Sequence, residues 1–132
     1  MKEIQSCLLI DDDPDDQEIF LMCIGKISEP VNCITANSGV DAIEMLQSHT
    51  QYTPNYIFLD VNMPKMNGIE CLKNIKKIDR LKHTKIYMYS TTSEGSVEVE
   101  SANLGATGFI IKPARISILR EQLEKILLSG SR

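Results

Sequence analysis

The stretch Tyr56-Ile57-Phe58-Leu59-Asp60-Val61-Asn62-Met63-Pro64-Lys65-Met66-Asn67-Gly68 decides how this chain is read. Its apolar opening suits a buried strand, and the carboxylate of Asp60 follows at the rim, where Pro64 and Asn67-Gly68 turn the chain. An ionisable group lifted from a core and held by a turning loop is a candidate reactive group. An earlier run, Cys7-Leu8-Leu9-Ile10, ends the same way, in Asp11, Asp12 and Asp13. If the two strands lie side by side and parallel, their acids converge. Carboxylates crowded into one crevice repel one another unless a cation joins them, which points to a hard, oxygen-liganded divalent metal.

Outward from this stretch, short apolar runs alternate with longer amphipathic ones, the pattern of βα units and a parallel sheet. The spacing predicts strands over 7–10, 31–35, 56–59, 86–89 and 108–111. Asp13 can cap a first helix that starts at Pro14, with Asp15, Asp16 and Glu18 at the positive end of its dipole and Ile19, Phe20, Cys23, Ile24 and Ile27 inward. A second helix is expected over 40–48, through Ala42, Ile43, Met45 and Leu46, and a third from Gly68, through Ile69, Leu72 and Ile75. The segment 93–101 has weak propensity and little apolar surface, so a short or mobile fourth helix is expected there, with a stop at Leu104-Gly105. A last helix carries Ile116, Leu119, Leu123, Ile126 and Leu127. The expected fold is α/β: a doubly wound, five-stranded parallel sheet of order 2-1-3-4-5, a flavodoxin-like three-layer α/β/α sandwich. In that order strands 1 and 3 meet at the switch point, where ligand crevices form.

The length of 132 residues suits one domain, expected over 1–132 with no output domain. With 42% hydrophobic and 24% charged residues the composition is globular, and the net charge of −4 argues against non-specific nucleic-acid binding. The basic run Lys73, Lys76, Lys77, Arg80, Lys82 and Lys85 reads as a solvated helix face, and His49 and His83 as surface residues. Cys7, Cys23, Cys33 and Cys71 lack paired short spacings and read as buried reduced thiols. Without a secretory h-region or a bilayer-length apolar run, a soluble, cytoplasmic protein with no membrane partner is expected.

The expected crevice rim holds Asp11, Asp12, Asp13, Asp60, Ser90, Thr91 and Lys112. Each has an ordinary alternative: Asp13 as a helix cap, a Ser or Thr capping the next turn, an exposed lysine. Their convergence on one sheet edge is harder to dismiss. Here the motifs Leu9-Ile10-Asp11-Asp12-Asp13-Pro14, Phe58-Leu59-Asp60-Val61-Asn62-Met63-Pro64 with Asn67-Gly68, Tyr89-Ser90-Thr91, Gly105-Ala106, Gly108-Phe109 and Lys112-Pro113 are similar, in this order, to the receiver domain of bacterial two-component response regulators. The resemblance covers essentially the whole chain.

The resemblance implies phosphorelay signalling rather than an enzyme. Asp60 would accept a phosphoryl group from a histidine kinase, a histidine phosphotransfer protein or a small phosphodonor. Asp11, Asp12 and Asp60 would hold Mg²⁺, or Mn²⁺ in its place, with the backbone carbonyl of Asn62. Ser90 and Lys112 would receive phosphoryl oxygens, Ser90 preferred over Thr91 by the family spacing, and Phe109 would be the switch aromatic, against the alternative of an ordinary core residue. The resemblance also implies a cis Lys112-Pro113 bond that aims the ammonium. Output would pass to a protein target over the face of helix 4, strand 5 and helix 5, by a monomer or a phosphorylation-dependent dimer without direct nucleic-acid binding. Ser90 stands where Thr is more frequent, the segment 49–54 is longer than in minimal receivers, and Asp13-Pro14-Asp15-Asp16 resembles receivers associated with phytochrome-type kinases.

Other readings compete. A haloacid-dehalogenase-type phosphatase would use Asp11 as nucleophile and Asp13 as acid/base, but Asp15 stands where Thr or Val is usual. A flavodoxin-like cofactor protein would bind phosphate after strand 1, where three aspartates repel it. A binding-only receiver would dock partners unphosphorylated.

Overall fold

The computed structural model describes residues 4–92 and 95–129. Strands β1 (Gln5–Ile10), β2 (Val31–Ala36), β3 (Tyr56–Asp60), β4 (Lys85–Ser90) and β5 (Gly108–Ile111) alternate with helices α1 (Pro14–Gly25), α2 (Gly39–Ser48), α3 (Gly68–Lys76), α4 (Gly95–Asn103) and α5 (Ile116–Ser129). All strand pairs are parallel and the order is β2-β1-β3-β4-β5, as the sequence predicts. Four of the strands run one or two residues beyond the apolar runs that signal them. Pairing continues for as long as a neighbour offers backbone partners, whatever the side chain.

Strand alternation sorts the core into two layers. Leu8, Ile10, Ile57, Leu59, Ile86 and Met88 face α2 and α3, which return Ala42, Ile43, Leu46, Cys71, Leu72 and Ile75. On the other face Cys7, Leu9, Tyr56, Phe58 and Ile110 meet Phe20, Cys23 and Ile24 of α1 and Leu119, Leu123 and Leu127 of α5. Every residue of β3 is buried, because helices cover both faces of this central strand.

Local chemistry sets the helix starts. Asp13 caps α1 by accepting from the Asp15 N–H at 2.9 Å, with Pro14 as the first helical residue. Asn67 caps α3 with a reciprocal bond between the Glu70 side chain and its own N–H. Gly105, at φ 99°, ends the chain's exit from α4, and the Ala106 N–H reaches back to the Ser101 carbonyl at 2.9 Å.

The short fourth helix expected over 93–101 is present as Gly95–Asn103, nine residues that bury only Ser101; Ser93 and Glu94 lie outside the described residues. Other expectations need correction. Cys33 is half-buried rather than buried, since β2 is an edge strand. Ile116 is 40% exposed, in an exposed first turn of α5 whose inward stripe begins at Leu119. Ile69 is only partly buried.

Arg80 is not part of a solvated face. Its guanidinium donates to the carbonyls of Tyr52 (3.1 Å), His49 (3.1 Å) and Leu46, pinning the long α2–β3 connection. His49 and His83 are exposed, as expected. Among the described residues no helix is long and apolar enough to cross a membrane.

Candidate functional site

The register between β1 and β3 aligns Ile10 with Leu59, so the next residues, Asp11 and Asp60, emerge together at the carboxyl edge. Neither is solvated: Asp11 is fully buried and Asp60 is 5% exposed. Asp11 is held by its N–H to the Ala36 carbonyl (3.1 Å), and its Oδ1 accepts from the Asp13 N–H (2.9 Å). Gln17 adds a side-chain bond to the Asp11 carbonyl at 2.7 Å. Asp60 Oδ1 accepts from the Asn62 N–H at 3.2 Å, which folds the following loop back over the acid. That loop includes Lys65 at φ 67°, closed by a bond from the Met66 N–H to the Pro64 carbonyl.

Lys112 reaches this pair from the end of β5. Its Nζ lies 2.9 Å from Asp11 Oδ2, 2.8 Å from Asp16 Oδ2 and 3.5 Å from Asp60 Oδ2, and sits 4.9 Å from the centroid of the Tyr89 ring. The expected cis bond is absent, for Lys112-Pro113 is trans. The Lys112 N–H bond to the Ser90 carbonyl (2.6 Å) continues the strand pairing, and the side chain is long enough to span the remaining gap.

Charge is unevenly balanced. Burial pushes the Asp60 carboxyl up to about 7, against the pull of Lys112 and with a further push from Asp11. Burial alone would lower Lys112, but the bonds to Asp16 and Asp11 and the charge of Asp60 raise it above its ordinary value. One oxygen each from Asp11, Asp12 and Asp60 lie within 4.8 Å of one another. Hard carboxylate oxygens that close, with one ammonium among them, fit a divalent cation of the Mg²⁺ class, and Asp12 is exposed, leaving an approach from solvent.

Ser90 is 2% exposed, and its Oγ accepts from the Thr92 N–H at 3.3 Å. Thr91 is exposed. Ser90, Thr92, Val61, Asn62, Val97 and Phe109 line a narrow cleft beside the acids, and Phe109, partly buried, also packs on the core layer beneath. Asp13 is occupied as a helix cap and Asp11 as a buried ion-pair partner, roles that leave the phosphatase reading without its acid/base.

The sequence position of Asp16 predicts only a favourable interaction with the helix dipole, not its bond to Lys112. It lies on the first turn of α1, and no local signal in the sequence ties it to Lys112, 96 residues further on.

The receiver-domain model of response regulators matches residues 7–124. The chain is 30% identical to the chemotaxis protein CheY of Thermotoga maritima over 112 residues, covering 85% of this chain and 92% of that protein. Its fold superposes on the phosphorylated cyanobacterial phytochrome response regulator RcpA with a TM-score of 0.85 at 25% identity, covering 94% of this chain and 91% of that one. It also superposes on the CheY of a CheX–CheY–BeF₃–Mg²⁺ complex from Borrelia burgdorferi, with a TM-score of 0.78 at 27% identity over 93% and 89% of the two chains. A parallel sheet of this order, an acidic triad at its carboxyl edge and these matches lead to one conclusion: the chain belongs to the response regulator receiver-domain family, phosphoacceptor signalling proteins of two-component phosphorelays rather than enzymes.

Proposed function

We propose that Asp60 is the phosphoacceptor, charged by a histidine kinase or a histidine phosphotransfer protein. The observation that carries this reading is the geometry of Asp60 itself: a buried carboxylate, fixed through Oδ1 by the Asn62 N–H, with an ammonium 3.5 Å from Oδ2 and two further carboxylates beside it. An Asp60 oxygen forms the new bond to phosphorus while the donor's P–N or P–O bond breaks, its electron pair leaving with the donor. Asp11, Asp12 and Asp60, with the Asn62 carbonyl, are the residues to hold Mg²⁺. A divalent ion held by them would supply positive charge to offset the negative charge that builds on a transferring phosphoryl group. Lys112, 3.5 Å from Asp60 Oδ2, would supply a further positive charge.

Ser90 then turns its hydroxyl from the Thr92 N–H toward a phosphoryl oxygen. The cleft it shares with Phe109 and Val97 is the route to α4 and β5. Downstream proteins read the face of α4, β5 and α5, where Val99, Ile111 and Ile118 are exposed at 61%, 44% and 41%.

The test is incubation with acetyl phosphate and Mg²⁺, followed by intact-mass measurement. One phosphoryl adduct is expected on the wild type, none on Asp60→Asn, and a slowed reaction on Asp12→Asn. An adduct that survives Asp60→Asn, or no adduct on a folded wild type, refutes the assignment.

A further inference from the structure

We propose that Asp16 is a positioning residue that holds the Lys112 ammonium back from Asp60, and so slows the uptake of phosphoryl groups. The proposal rests on Asp60 being the acceptor. An ammonium has three N–H donors. Two are committed to acids that do not react, Asp16 at 2.8 Å and Asp11 at 2.9 Å, while the distance to Asp60, 3.5 Å, is longer than either. A phosphoryl group arriving on Asp60 must draw Lys112 toward itself against both.

The two holding acids differ in kind. Asp11 belongs to the trio that converges for a metal and is fully buried. Asp16 stands outside that trio, on the first turn of α1, with its side chain 29% exposed. Water can therefore fill its place when it is removed, whereas loss of Asp11 would leave a hole in the core. Nor is Asp16 needed to keep Lys112 at the site. The lysine is anchored by Asp11, by its N–H bond to Ser90 (2.6 Å) and by the Tyr89 ring 4.9 Å away.

Removing the Asp16 charge has two effects of the same sign. It frees an ammonium donor for the phosphoryl oxygens, and it takes away a negative charge that faces an incoming anionic donor. A strut that merely oriented Lys112 would act in the opposite direction.

The experiment measures the initial rate of phosphorylation by acetyl phosphate, below saturation and with saturating Mg²⁺, for the wild type and for Asp16→Asn, Asp16→Ala and Asp16→Glu at low and high salt. Both Asn and Ala variants should react faster, by roughly fivefold, the scale of a partly exposed ion pair. The gain should shrink as salt screens the charge, and the Glu variant, which keeps it, should stay near the wild-type rate. An Ala variant that is slowed while the Asn variant is normal supports the strut and overturns the proposal, as does an Asn variant at the wild-type rate. Those outcomes require a wild type that is phosphorylated on Asp60. Absence of that adduct instead overturns the acceptor assignment.

Discussion

Gly68 packs so tightly against Asp60 that a Cβ placed on it would run into the Asp60 carbonyl oxygen and lie 2.7 Å from the Val61 Cα. The start of α3 is thereby pressed onto the end of β3, and the Gly68 N–H closes the loop by donating to the Val61 carbonyl at 2.9 Å. The loop after Asp60 is held at both ends, by its strand and by the helix that follows.

Gly68→Ala should therefore be costly, since the atoms it meets are backbone and cannot swing aside. A loss of about 2–4 kcal/mol is expected, the range of overpacked or strained positions. Urea denaturation measures it, and Mg²⁺ affinity should weaken in parallel as Asp60 is displaced. Near-wild-type stability would mean that α3 slides without disturbing the site.

Acidity at Asp60 sets a pH dependence. Its carboxyl rises from 3.8 to about 7 on folding, chiefly through burial. A group raised in this way favours the folded state when protonated: the contribution is complete below 3.8 and is lost as pH rises through about 7. Metal-free Asp60→Asn should thus exceed the wild type in stability at about pH 8 by on the order of 2 kcal/mol, the gap closing as pH falls toward about 4. Chemical denaturation across that range in EDTA is the check, and a gap independent of pH would place the cost elsewhere.

Lys112→Met keeps the stem of the side chain and removes the charge between Asp11 and Asp60. Breaking a buried ion pair leaves uncompensated acids, at a cost of about 3 kcal/mol near neutral pH without metal. Saturating Mg²⁺ should return much of that loss. Equal destabilisation with and without Mg²⁺ would show that packing on Tyr89, not charge, is what the lysine contributes.

Arg80→Ala releases three carbonyls, those of Leu46, His49 and Tyr52. A destabilisation of about 1–2 kcal/mol is expected, together with faster amide exchange over 49–55 and an unchanged rate of Asp60 phosphorylation. Arg80→Lys should recover little, because one ammonium cannot reproduce the guanidinium fork. A slowed phosphorylation rate would tie this connection to the site.

Much of this molecule is legible from local signals. The Asp13-Pro14 start, the Asn67-Gly68 turn and the Gly105 exit depend on residues within a few positions of one another, so reading along the chain finds them; the capping role of Asn67 is shown only by the structure. The acids at the ends of β1 and β3 are visible too, because an apolar run that stops in a carboxylate marks where a buried strand meets solvent. Less legible was anything that depends on reach across the fold. Along the chain Arg80 is one more residue of a basic run, and Asp16 one more acid at a helix start.

The order of residues by itself determined the alternation of strands and helices and the acids, hydroxyl and amine that end the strands, since propensity, capping and hydrophobic period act over short spans. Only tertiary structure decided which of those acids the single ammonium serves. Asp11, Asp16, Asp60 and Lys112 come from three strand ends and a helix, and the 2.8 Å and 3.5 Å that separate Lys112 from Asp16 and Asp60 follow from how α1 packs against α5 on one face of the sheet. Coulomb interaction depends on those distances and on burial, neither of which is a property of sequence spacing.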